Sequence, residues 1–180
     1  DGAGDAWGEH DGGAVDPGRP RDAGHTLPPE PSDAGDTPDA AAPKQAAWTL
    51  LIYMAADNNL EKYAIDDLEE MIAAQVSDDV QVLVQIDRAQ GYHELGVGGL
   101  PNFASTKRLR VRSRSLEELA DLGETNTGDP ANLSAFIEWG LTNYPAENQA
   151  LLLWNHGNAW QGYGGDIQAN HDRLEHDEVE

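Results

Sequence analysis

Three short apolar runs, punctuated by segments in which apolar residues recur every three or four positions, constrain this chain more than any other feature. The first run is "WTLLIYMA", rich in β-branched and aromatic residues and of buried-strand length. In "DNNLEKYAIDDLEEMIAAQ", Leu60, Tyr63, Ala64, Leu68, Met71 and Ile72 then fall on one face of a helix, and Asp57, Asn58 or Asn59 is placed to cap it. "DDVQVLVQIDRA" supplies a second strand, Val80 to Ile86. In "NTGDPANLSAFIEWGLTNYPAEN", Asp129-Pro130 reads as an N-cap with proline at the first helical position. Leu133, Phe136, Ile137 and Leu141 form the apolar face of that helix, and "QALLLWNHG" is the third strand. Strands alternating with helices imply a mainly parallel sheet with helical crossovers.

The intervening segments carry weaker signals. "GYHELGVGGLPNFA" reads as a glycine-rich loop or hairpin connection. "TKRLRVRSRS" alternates basic residues with Leu109 and Val111, as an edge strand with one solvated face does. "SLEELADLG" reads as a helical turn. Residues 1–47 are a different material, rich in Gly, Pro, Ala and Asp and without periodic apolar positions. Such a segment cannot bury enough surface to offset chain entropy, so a disordered acidic tail or linker is expected ahead of a folded domain over 48–180.

Composition excludes several function classes. With 33 acidic against 11 basic residues, the formal net charge is −22. That balance opposes binding to nucleic acid or an anionic membrane, since both require basic groups against phosphate. The absence of cysteine removes disulfides, thiolate metal sites and a cysteine nucleophile from this chain. No apolar run approaches the roughly 20 residues of a membrane span. The chain opens on Asp rather than Met and has no signal-like segment, so either a leader has been removed or the chain is an excised piece.

In an open α/β sheet, sites lie beyond the carboxyl ends of the parallel strands. Three loops qualify: 55–59, 87–92 and 155–166. They place His156 and Asp57 as near neighbours on one edge. An imidazole there, held by a strand yet accessible, is suited to proton transfer near neutrality. Gly157 beside it would admit close backbone approach or a turn with positive φ. The competing reading of His156 is an ordinary loop histidine, and that of Asp57 is a helix N-cap. His171, Asp172, Glu175, His176 and Asp177 near the end hold metal-binding side chains, but their spacing fits no standard ligand motif, and a solvated acidic loop is the preferred reading. "HELGV" at His93 lacks the second histidine of a zinc-peptidase helix, and "GVGGL" and "GYGGD" form no nucleotide fingerprint.

"WTLLIYMAADNNLE", "NTGDP" and "LLLWNHG", at this spacing, resemble the clostripain family of cysteine peptidases, relatives of caspases, legumains, gingipains and separase. The resemblance covers roughly Trp48 to Asp166. It implies a caspase-like three-layer α/β sandwich with a mostly parallel sheet, present here as a partial domain. It implies that His156 is the histidine of a Cys–His dyad, with the Gly157 N–H as oxyanion donor and Asp57 shaping the substrate site. The cysteine would lie in a C-terminal part of the same enzyme, beyond this chain. The resemblance further implies protein or peptide substrates cut after Arg or Lys, no required metal or other cofactor although calcium is admitted, and self-processing at a basic residue. Arg173 is the sole Lys or Arg after Arg114, which makes it the processing candidate. An exported bacterial protein, extracellular or at the cell surface, is expected. The alternative is a non-catalytic caspase-like binding module or surface pseudoenzyme.

Overall fold

The structure, a computed structural model, describes residues 45–157 and 162–179. The expected tail over 1–47 lies almost wholly outside the described residues. The first strand, β1, spans Ala46–Ala56 and leads into helix α1, Glu61–Ala73. Strand β2 covers Val80–Arg88. A hairpin follows, β3 at Thr106–Arg112 and β4 at Ser115–Gly123. Helix α2, Pro130–Asn143, leads to β5, Ala146–Trp154. A small hairpin, β6 at Tyr163–Asp166 and β7 at Asp172–Leu174, precedes the single-turn α3, His176–Val179.

The main sheet has five strands in the order β4-β3-β2-β1-β5. β1 lies between two parallel neighbours, with Leu51 opposite both Leu83 and Leu151. β3 and β4 add antiparallel on the far side of β2. The alternating pleat of β1 explains the layers. Ile52, Met54 and Ala56 face one way and pack with Ala64, Ile65, Leu68 and Ile72 of α1. Leu51 and Tyr53 face the other way and pack with Leu133 and Phe136 of α2. One helix therefore covers each face, the three-layer arrangement that the family resemblance implies.

Four expectations change. "SLEELADLG" is strand β4, not a helical turn. Its carboxylates reach across the ladder: Lys107 Nζ donates to Glu118 at 2.9 Å and to Asp121 at 2.6 Å, while Leu116 inserts into the α1-side core. This makes β4 the sheet edge and β3 an interior strand. At the other edge, "LLLW" has the composition of a buried strand but is largely exposed, with Leu151 41% and Leu152 53% accessible. Among the described residues, β5 has β1 as its single neighbour. Finally, the α1 N-cap position is Leu60, without a side-chain cap. Asn58 Oδ1 instead accepts from the Leu60 N–H at 2.9 Å, whereas Asp57 faces away from the helix start.

Candidate active-site edge

The chain leaves β1 toward β2 on one side, then returns through α2 to place β5 on the other. The order reverses at β1, so a crevice opens beyond the carboxyl ends of β1 and β5. His156 stands there, two residues past β5 and exposed. Its Nε2 lies 3.4 Å from Asn59 Oδ1 in the β1–α1 loop. Its carbonyl accepts from the Gly164 N–H at 3.1 Å, and its N–H donates to Asn155 Oδ1. Asn155 Nδ2 in turn donates to the Ala55 carbonyl, tying the histidine turn to the end of β1. Asn58 Nδ2 adds donations to Ala55 and Gly165, each at 2.9 Å. Asparagine amides thus lace the ends of β1, β5 and β6 together and hold the imidazole at an open edge.

Gly157 follows, bridged to Tyr163. Its φ lies outside the left-handed region, so the positive-φ reason for glycine does not apply. The space where a Cβ would stand is open, and a ligand backbone can approach it closely.

Asp57 is fully buried, near the histidine loop in the chain fold but turned into the protein. Its backbone carbonyl accepts from Ile167 N–H at 3.0 Å and its Oδ2 from Gln168 N–H at 3.1 Å. The direct partner of His156 is consequently Asn59 rather than Asp57. Asp57 belongs to a group of carboxylates whose offered oxygens all lie within 4.8 Å of one another: Asp57, Asp87, Glu124 and Asp166. Asp87 is the penultimate residue of β2, and its Oδ1 accepts from the Thr106 hydroxyl at 2.7 Å. Asp166 ends β6; its Oδ2 accepts from Thr127 N–H at 2.9 Å and its Oδ1 from Ala169 N–H at 2.8 Å. Glu124, just past β4, is exposed. Burial pushes the Asp57 carboxyl up to about 7; the Gln168 N–H opposes this and Asp166 adds to it. Burial likewise pushes Asp87 up to about 8, against the Thr106 hydroxyl and reinforced by Glu124, Asp166 and Asp57. Sequence reading missed this group because its members are spread over 110 positions. The signal available was that Asp57 and Asp87 each sit at the carboxyl end of an apolar strand; Glu124 gave none, because the segment before it reads as a helical turn.

"NTGDP" acquires a structural explanation. Asn126 Nδ2 donates to Asp172 at 2.6 Å, Thr127 engages Asp166, and Asp129 Oδ1 caps α2 by accepting from Ala131 N–H at 2.8 Å. At Gly128 a Cβ would stand 2.4 Å from the Arg173 nitrogen, so only glycine lets β7 lie against this turn. Arg173 itself is within β7, its side chain 45% exposed and 3.7 Å from Glu175. His171, Asp172, Glu175, His176 and Asp177 are exposed, and they do not form a metal-ligand group among the described residues. His93 offers its carbonyl to Arg88 at 2.9 Å.

A mostly parallel five-stranded sheet sandwiched between helices is the architecture of caspase-like proteases. The clostripain family model matches residues 52–179, and the chain belongs to that family. Clostripain of Hathewaya histolytica is 29% identical over 70% of this chain. The match spans 25% of that relative's length. A B. fragilis cysteine protease structure is 25% identical with a TM-score of 0.52, covering 63% of this chain and 92% of that one. The structure of a secreted C11 cysteine protease from Bacteroides thetaiotaomicron, in complex with an irreversible peptide inhibitor, superposes with a TM-score of 0.59. It is 24% identical and covers 74% of this chain and 38% of that one. Among the described residues no helix is long and apolar enough to cross a membrane.

Proposed function

We propose that this chain supplies the histidine half of a cysteine endopeptidase that cleaves after Arg or Lys, with the cysteine carried by a C-terminal part of the same enzyme. The observation that carries the reading is an exposed imidazole held at the carboxyl edge of a clostripain-family sheet, where β5 has β1 as its single strand neighbour among the described residues. In the complete enzyme the cysteine thiolate attacks the scissile carbonyl, and the Gly157 N–H stabilises the oxyanion. His156 gives its proton to the departing amine. It then draws a proton from the water that attacks the acyl-enzyme, and the thiolate leaves. Asp57 supports the substrate side of the edge from beneath, through the Ile167–Gln168 backbone. The basic preference follows from the family resemblance, and location outside the cell is supported by the secreted relative.

The decisive experiment is His156→Ala in the full-length protein. Removing a general acid costs about 10²–10⁴-fold, so turnover of Arg-containing peptides should fall by that factor. Undiminished turnover refutes the assignment. A full-length wild type with no peptidase activity would instead favour a non-catalytic binding module, consistent with the lack of cysteine in this chain. Self-processing after Arg173 is part of the same proposal. Cleavage there requires β7 to leave β6, and an Arg173→Ala protein still cut at that bond would exclude it.

A further inference from the structure

We propose that Asn59 is the positioning residue of the His156 imidazole: its amide oxygen holds the ring proton on Nε2, which makes Nδ1 the nitrogen that exchanges protons with the thiol and the departing amine. The catalytic consequence rests on the peptidase reading above, whereas the place of the ring proton is a property of this chain alone.

The contact is set by two anchored stretches of backbone. On one side, Asn58 is buried and its side chain is fully engaged. Nδ2 donates to the Ala55 and Gly165 carbonyls, and Oδ1 accepts from the Leu60 N–H. The Asn58 carbonyl accepts from the Glu61 N–H at 3.1 Å, at the first turn of α1. Asn59 is thereby held between the end of β1 and the start of α1, with its own side chain exposed. On the other side, Asn155 Nδ2 donates to the same Ala55 carbonyl, and the His156 carbonyl accepts from the Gly164 N–H. One carbonyl of β1 therefore ties down both neighbours of the contact. The 3.4 Å between His156 Nε2 and Asn59 Oδ1 is long for a hydrogen bond, and contacts of this kind tighten when the reacting complex forms.

An amide oxygen can only accept. A ring nitrogen that engages it carries a hydrogen, so Nε2 is protonated and Nδ1 keeps its lone pair. Among the described residues Nδ1 has no hydrogen-bond partner. In the complete enzyme Nδ1 takes the proton of the cysteine thiol, and the sulfur electron pair forms the bond to the scissile carbon. The proton on Nδ1 then passes to the amine nitrogen as the C–N bond breaks. The Nε2 proton stays against Asn59 throughout, so the imidazolium always faces an oxygen. The Asp57 carboxylate does not compete for this role, because it is buried and accepts from the Gln168 N–H. A carboxylate against the ring would favour the charged imidazolium, whereas an uncharged amide orients the ring without that bias.

The test begins with two-bond proton–nitrogen correlation spectra of the isotope-labelled chain above about pH 8, where an ordinary imidazole is neutral. His156 is identified by the peaks that His156→Ala removes. Wild type should show His156 as the Nε2–H tautomer alone. Asn59→Ala should show the tautomer mixture of an unrestrained ring, with the unfolding midpoint unchanged because the side chain is exposed. Asn59→Asp keeps an acceptor and should keep the single tautomer. An Nδ1–H tautomer in wild type overturns the proposal, as does the same spectrum in wild type and Asn59→Ala. In the full-length enzyme Asn59→Ala should lower kcat by at least about tenfold with KM unchanged, because a misplaced catalytic group slows chemistry more than binding. Asn59→Asp should restore most of that loss. Undiminished kcat in Asn59→Ala overturns the proposal. A full-length protein whose turnover is unaffected by His156→Ala refutes the peptidase reading and with it the catalytic consequence, while the spectra still decide whether Asn59 holds the ring.

Discussion

Arg88 is the largest fully buried side chain of the described residues, and its environment explains how a guanidinium is tolerated there. Nε donates to Glu61 at 2.7 Å, and NH2 donates to Asn102 and to the His93 carbonyl. Its Cζ lies 4.6 Å from the centroid of the Phe103 ring. This one residue pins the 89–105 loop to α1. Arg88→Met leaves the Glu61 carboxylate buried without a counter-ion, an arrangement that costs roughly 3–5 kcal/mol. Urea denaturation should report that loss, and Glu61→Gln/Arg88→Met should recover part of it. Burial already raises the Glu61 pKa, against the Arg88 guanidinium. A group whose folded pKa is raised stabilises the protein at low pH and loses that contribution as pH rises through it. The deficit of Arg88→Met should therefore narrow as pH falls; a deficit constant with pH would mean the lost energy is packing. None of this network was readable from "QIDRA", because a charged residue closing an apolar run looks like a strand end. His156 was readable because a type of residue and its strand-end place coincide; its Asn59 and Asn155 supports were not, since asparagines in loops are common.

Among the elements, legibility followed periodicity. β1, β2 and β5 carry apolar runs of strand length, α1 and α2 carry 3.6-residue patterns, and all five form where those signals lie. β4 has the weak pattern "SLEELADLG", which suits a helix by propensity. Its cross-strand partners on β3 override that propensity, as tertiary context does for strands generally. The start of α2 was fully local: Asp129 caps it and Pro130 opens it. Asp129→Ala should cost about 0.5–2 kcal/mol by thermal unfolding, with the helix otherwise retained. Gly128→Ala acts differently. A Cβ there meets the Asp172–Arg173 backbone, and backbone cannot step aside as a side-chain tip can. Overpacking of this kind costs about 1–3 kcal/mol. The strain falls on the β6–β7 hairpin, so tryptic cleavage at Arg173 should accelerate in Gly128→Ala but not in Asp129→Ala.

At the scale of the whole sheet, β5 is the feature that the apolar pattern misrepresents. A run such as "ALLLW" belongs between neighbours, yet among the described residues it has one, and the apolar surface continues from it. Leu151, with Leu51, Ile137, Leu141 and Ala150, lines a groove of about 210 Å³ between α2 and β5. An unpaired apolar edge strand invites pairing with another copy. The net charge of −22 opposes such contact at long range. Salt weakens that opposition, since the screening length is about 10 Å at 0.1 M. Sedimentation velocity on the chain should accordingly show self-association that grows with both protein concentration and salt. Leu152→Lys separates the two causes. It places a charge on the exposed edge while lowering the magnitude of the net charge by one, so a purely charge-governed association would strengthen. If pairing through β5 governs, association weakens instead, because burying that lysine against a second edge is costly. Association unchanged in Leu152→Lys would move the contact away from β5. If a C-terminal part of the enzyme pairs with this edge, as proposed above, the same substitution should destabilise the longer protein, the opposite outcome for one mutation.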